Sequence, residues 1–186
     1  MDEQSLAAPP AVLVVVGASG AGKTTLVDLL ASLQIAGVGC YRFDSIGIPS
    51  PEEIIERFGD GTAFQAWALG EWITRLVQNE DRAEVAVLDA QVRPSAVRQA
   101  FASHGVVRGN VVLVDCSYEE RNARLRGPRR QPELATPQMD AWAAYLRGQA
   151  DALDLEIIDT TGVAPEVALA QLRDQVLALL ATGRPA

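Results

Sequence analysis

Gly17-Ala18-Ser19-Gly20-Ala21-Gly22-Lys23-Thr24 decides how the chain is read. It satisfies the spacing Gly-x-x-x-x-Gly-Lys-[Ser/Thr] at every fixed position. An apolar run, Ala11-Val-Leu-Val-Val-Val16, precedes it and reads as a buried strand; Thr24 to Leu33 follows and reads as a helix. Glycines at 17, 20 and 22 let the backbone turn through positive φ and approach a ligand with no Cβ in the way. Successive N–H groups, from Ala18 through Thr25, then face inward as an anion nest, and the positive end of the following helix adds to the field. Lys23 brings a point charge to the outer phosphates of a nucleotide, and the Thr24 hydroxyl is a ligand for Mg²⁺. Lys23 is also the only lysine in the chain; the other fifteen basic residues are arginine.

Working outward, the pattern alternates. Strands are predicted at 11–16, 37–43, 84–89, 111–115 and 155–159, with helices between them. Ser50-Pro-Glu-Glu53 is a capping box with proline at the first helical position. Thr62 to Gln65 reads as a second capping box, opening a helix to about Asn79. Its residues Leu69, Trp72, Ile73 and Leu76 fall at helical spacing, and Trp67 and Trp72 read as packing residues. Short apolar strands alternating with helices predict a parallel sheet covered on both faces. Residues 11–186 then form a single domain behind a disordered lead-in at 1–10. Ligands of such sheets sit beyond the carboxyl ends of the strands, which would bring the loop at 17–24, Asp44, Asp89, Asp115 and Thr160 to one rim.

The composition narrows the function. In 186 residues, 48% are hydrophobic and 22% charged, the profile of an ordinary globular domain, and the net charge of −8 argues against a general nucleic-acid-coating role. Two distant cysteines, Cys40 and Cys116, and one histidine make no metal cluster; buried thiols in a reducing cytoplasm are expected. No apolar run approaches the ~18 residues of a membrane span. The protein is expected to be cytoplasmic, a monomer or a homodimer.

Four further features are candidates for chemistry. Asp44, after the second strand, is placed to accept the proton of an attacking hydroxyl. Asp89 ends Val85-Ala-Val-Leu-Asp89 and is placed to hold Mg²⁺ or a water bound to it. Gln91 and Arg93 follow at once, and Arg93 offers a bidentate fork to an acceptor. Five arginines lie between Arg121 and Arg130 of an otherwise acidic chain. They read as a lid, about 121–137, whose closure would neutralise charge building on a transferring phosphoryl group and exclude water. The same run also fits a solvated basic helix. Arg57 and Arg75 are the only basic residues from 44 to 81, which points to a neutral hydroxyl compound or nucleoside as acceptor.

On these residues the chain resembles the P-loop small-molecule and nucleoside/nucleotide kinase group, which includes adenylate, shikimate and gluconate kinases and the chloramphenicol phosphotransferase. The carriers are Gly17–Thr24, Asp44, Val87-Leu-Asp89, the arginine-rich lid and Ile158-Asp-Thr-Thr161. The resemblance implies a three-layer sandwich with sheet order 2-3-1-4-5, Mg-ATP as donor, and a lid that closes. It places Arg124 against adenine, Arg129 or Arg130 on the phosphates, and Asp44 as acceptor base or ligand; independently of it, Asp159-Thr160-Thr161-Gly162 on the rim after the fifth strand offers backbone and hydroxyl groups to the edge of an adenine ring. The activity so implied is transfer of the γ-phosphoryl group to a small hydroxyl-bearing acceptor. The alternative is an ATPase or nucleotide-gated switch, or a nucleotide-binding module, without such an acceptor. An Asn-Lys-x-Asp guanine reader is impossible with one lysine, and the Leu-Ser-Gly-Gly-Gln element of transporter ATPases is absent.

Overall fold

The computed structural model describes residues 9–183. Residues 1–8 of the expected lead-in lie outside the described residues. Pro9 and Pro10 run directly into the first strand.

The strands are β1 (Ala11–Val16), β2 (Val38–Arg42), β3 (Val85–Ala90), β4 (Gly109–Asp115) and β5 (Glu156–Asp159). All neighbours pair in parallel, in the order β2-β3-β1-β4-β5. Every residue of β1 and β3 is buried, which is why β1 reads as an unbroken apolar run and β3 as one interrupted only by Asp89, rather than as alternating strands. The helices are α1 (Lys23–Ser32), α2 (Pro51–Phe58), α3 (Gly61–Gln78), α4 (Pro94–Ser103), α5 (Tyr118–Arg126), α6 (Pro137–Ala152) and α7 (Pro165–Thr182). Alternate side chains of the central strands feed two cores. Val12, Val14, Leu88 and Leu113 pack with α3, α4 and α6. Leu13, Val15, Val87 and Val114 pack with α1 and α7. The result is a three-layer sandwich in which β1 is the central strand and its carboxyl end opens into the glycine loop.

Local chemistry fixes most helix boundaries. Ser50 and Glu53 make the reciprocal capping box on α2, and Gly59 ends it. Ser117 and Thr136 cap α5 and α6. Two expectations change. The N-cap of α3 is Asp60, whose carboxylate accepts from the Ala63 N–H, so Thr62 lies inside the first turn rather than at a capping box. Phe43 does not extend β2; it begins a 3-10 turn, Phe43–Ile46, that carries Asp44 and Ser45. That turn is pinned from below, because the Trp72 indole N–H donates to the Phe43 carbonyl at 2.8 Å. Trp72 is buried; Trp67 is 41% exposed against Phe58 and Phe64. No described helix is long and apolar enough to cross a membrane.

Replacing Trp72 by Phe leaves the buried Phe43 carbonyl without its donor, which is expected to cost about 1–3 kcal/mol. Trp67→Phe is expected to stay within about 0.5 kcal/mol. Urea denaturation of the two variants beside the parent measures both.

Candidate active site

The loop after β1 is built around two close approaches. At Gly17 (φ +155°) an added Cβ would lie 2.2 Å from the Val114 carbonyl oxygen of β4. At Gly20 (φ +85°) it would meet Arg121 Cγ at 2.9 Å and Leu125 at 3.0 Å. Side chains at either position would push the loop off the sheet edge or off α5. Gly22 is the left-handed N-cap of α1, so the first turn of α1 points its free N–H groups into the loop.

Lys23, the first residue of α1, is only 6% exposed. Its ammonium donates to the Ala18 carbonyl at 3.1 Å. Burial lowers its pKa from 10.5 to about 8; Asp89 and Asp44 act to raise it and Arg129 to lower it. Next to it, the Thr24 hydroxyl donates to Asp89 Oδ2 at 2.6 Å. The Ser19 hydroxyl donates to Gln91 Oε1 at 2.8 Å, tying the loop to the segment after β3.

Two cavities meet at this loop. The first, about 600 Å³, is lined by Lys23, Thr24, Asp44, Asp89, Gln91 and Arg129, among others. The second, about 550 Å³, lies on the other side of the loop, between Gly22, Thr25, Arg124, Pro128, Thr160 and Pro165, and its walls are mainly apolar. Arg129 lines both.

Arg124 is held on four sides. Its Nε donates to Glu120 Oε1 at 2.9 Å, Nη1 to the Thr160 hydroxyl at 2.8 Å, and Nη2 to the Thr160 carbonyl at 2.7 Å; Nη1 also faces the Ala21 carbonyl at 3.3 Å. The Thr160 hydroxyl in turn donates to the Ala21 carbonyl at 2.8 Å. Arg124 and Thr160 therefore brace the outer wall of the loop where it faces the second cavity.

The other arginines part company. Arg121 is 4% exposed and donates from Nη2 to Asp140 of α6 at 2.8 Å. It underlies Gly20 as part of the domain body, whereas the sequence grouped it with the lid. Arg129 lies in the turn after α5, with its Nε on Gln131 at 3.1 Å. Arg130, at φ +51°, is exposed and lines neither cavity. Arg93 reaches Thr62 at 3.4 Å and belongs to a third space beside the first, reached past Gln91. Sequence reasoning missed Arg42 and Gln131, which also line the first cavity, and the Asp140 partner of Arg121. No local spacing signals these, because each depends on a return of the chain from another element.

The Thr24–Asp89 oxygens suit a hard cation. Among the described residues no three His, Cys, Asp or Glu side chains gather into a metal site. A two-oxygen platform beside a phosphate cradle fits Mg²⁺, which keeps waters and shares phosphate oxygens instead of demanding an all-protein cage.

Comparison with known proteins decides the architecture. A shikimate kinase from Acinetobacter baumannii, solved with shikimate, superposes with a TM-score of 0.58 at 21% identity, covering 91% of this chain and 94% of that one. Deoxyadenosine kinase from M. mycoides superposes at 0.59 and 10% identity, covering 90% and 99%. The fold is that of the P-loop kinases. In sequence, the chain is 31% identical over 115 residues to a sulfate/thiosulfate import ATP-binding protein of Shewanella oneidensis. That match covers 62% of this chain and 31% of the relative, so the chain aligns with about a third of that protein's length. No family model matches.

With a single lysine, labelling lysine with ¹³C and ¹⁵N gives one side-chain resonance. It is expected to titrate with a midpoint near 8 in the free P-loop-fold protein. Because the free pKa is depressed, a bound polyphosphate should raise it, so nucleotide binding takes up protons around pH 8 and weakens as pH rises through that value. Proton uptake is read by calorimetry in buffers of differing ionisation enthalpy.

Proposed function

We propose that the protein is an ATP-dependent phosphotransferase that moves the γ-phosphoryl group of Mg-ATP to a hydroxyl of a small acceptor. The observation that carries this reading is the first cavity. It sets a buried ammonium, a hydroxyl–carboxylate pair and a second, separate carboxylate around one space at the mouth of a phosphate-binding loop. A switch that only bound nucleotide would need the loop and Thr24–Asp89. It would have no use for Asp44 on a pinned turn across a cavity of about 600 Å³.

In this reading the base and ribose occupy the mainly apolar space between Arg124, Pro128, Thr160 and Pro165. The triphosphate runs through the amides of 17–25 toward Lys23. Thr24 and Asp89 would hold Mg²⁺, which would supply positive charge to neutralise the phosphate oxygens. The acceptor oxygen forms a bond to the γ-phosphorus, the bond from that phosphorus to the β,γ-bridging oxygen breaks with its electron pair leaving on ADP, and the hydroxyl proton passes to Asp44. Lys23 stabilises charge on the transferring group. Arg129 lines both cavities and so can follow that charge from donor side to acceptor side as its turn closes; Arg130 would join it only by moving. Residues 11–186 act as one domain in this scheme, with the moving part confined to the turn between α5 and α6. Domains of unrelated chemistry share this fold, so the acceptor must be argued from this chain's own walls.

ADP release with Mg-ATP is expected to depend on an added acceptor. Lys23→Ala should lower turnover by about 10²-fold or more. Asp44→Asn should lower acceptor phosphorylation by about 10²-fold while leaving the ATP dissociation constant within about threefold. ADP release that is equal with and without every acceptor tried, or an Asp44→Asn variant at parental rate, contradicts the assignment.

A further inference from the structure

A further cavity lies at the other end of α3 and shares no lining residue with the two cavities at the glycine loop. Its volume is about 440 Å³, within the range of small-ligand sites. Leu76 of α3 and Ala86 of β3, both buried, form its floor. The rings of Tyr41 and Trp72, whose centroids are 5.9 Å apart, form an aromatic wall.

Three charged side chains also line it: Arg75, Glu80 and Asp81. Their signs are opposite, yet among the described residues no ion pair joins Arg75 to either acid. Arg75 instead lies over the Trp72 ring, 5.9 Å from its centroid. Asp81 Oδ2 accepts from the Tyr41 hydroxyl at 2.8 Å. Gln78 and Asn79 end α3 at the same cavity, so the negative end of that helix lies with the acids. A positive group and a negative end thus stand around one space, and Arg75 and Asp81 are each held by an aromatic side chain rather than by each other.

We propose that this cavity binds a free amino acid with an apolar side chain, taken as the zwitterion. Its carboxylate meets the Arg75 guanidinium, which matches that group in two parallel hydrogen bonds. Its ammonium faces Asp81, Glu80 and the end of α3, and its side chain packs on Tyr41 and Trp72 above Leu76 and Ala86. A simple anion would meet the two acids and a simple amine would meet Arg75, so a ligand carrying both charges is favoured over either. The site stands behind the turn that carries Asp44. The Trp72 indole that walls it donates to the Phe43 carbonyl at 2.8 Å, and within the turn the Gly47 N–H donates to the Asp44 carbonyl at 3.1 Å. A ligand packed against Trp72 restricts the indole that pins the turn, which makes the bound amino acid an effector of its order.

The test titrates L-phenylalanine, L-leucine and L-tryptophan into the full chain by calorimetry, each beside its N-acetyl form and its primary amide. At least one free amino acid is expected to bind about tenfold more tightly than both of its capped forms. Arg75→Gln should erase the margin over the amide and keep the margin over the N-acetyl form. Glu80→Gln combined with Asp81→Asn should do the reverse. All three residues are exposed, so these variants are expected to fold. Free amino acids that bind no better than their capped forms, or two margins that survive both variants or fall together, overturn the inference. In hydrogen exchange the bound amino acid should slow the Gly47 amide by about threefold or more. Binding that leaves that rate unchanged overturns the effector role. The phosphotransferase reading is untouched by either failure, because its residues line the other cavities.

Discussion

The loop after β1 keeps one ammonium group almost out of water, and most of the site is arranged to tolerate that. An isolated buried lysine is costly enough to shift toward its neutral form, and Lys23 does so, to a pKa of about 8. What holds it partly charged is one carbonyl, Ala18, and the field of Asp89 and Asp44. Those partners are reachable only because the backbone at Gly17 lies against the Val114 carbonyl, closer than any Cβ permits. In the phosphotransferase reading proposed above, a polyphosphate in the loop would add negative charge beside this ammonium and hold it in its charged form.

The same loop is held by struts behind it. Arg124 and Thr160 bind the Ala21 carbonyl from outside, and Arg121 fills the space under Gly20 while paired to Asp140. These are arginines spent on positioning. Arg124 and Thr160 take up the Ala21 carbonyl, while the Ala21 N–H donates to the Ala18 carbonyl within the loop at 3.2 Å. A buried ion pair is weak evidence of net stability, since desolvation offsets much of its attraction. Its value here is geometric: Arg121 and Asp140 join α5 to α6 on either side of the turn that carries Arg129, which fixes where that turn begins and ends.

Legibility in the sequence followed the range of the interaction. The glycine loop, the capping box at Ser50, and the fully apolar runs of β1 and β3 are local, and the sheet order came with the resemblance that those features established. Asp89 was readable because a carboxylate ending a buried strand beside the loop has few other places to go; its 2.6 Å partner, Thr24, was in the motif. Non-local returns of the chain were not readable. A run of five arginines looks uniform until α6 brings Asp140 against one of them and the end of β5 brings Thr160 against another. The start of α3 was misplaced by two residues because Thr62 and Asp60 both carry capping chemistry, and only the backbone before Gly61 decides between them. Counting basic residues from 44 to 81 similarly left out Arg93, which comes from the next βα connection and lines the space beside the first cavity.

That last point bears on how specificity is distributed in such a fold. The glycine loop is built from consecutive residues and one strut, so a short motif fixes it. The cavities on the Asp44 side are assembled from the end of β2, the start of α3, the segment after β3 and the start of α6. Four separate connections can change there without disturbing the glycine loop. Shikimate kinase and deoxyadenosine kinase can therefore share the architecture with this chain at 21% and 10% identity. In the segment after β3, Arg93 caps no helix end through its side chain and enters no ion pair among the described residues; its hydrogen bond goes to the Thr62 hydroxyl at the start of α3, so it joins two of these four connections.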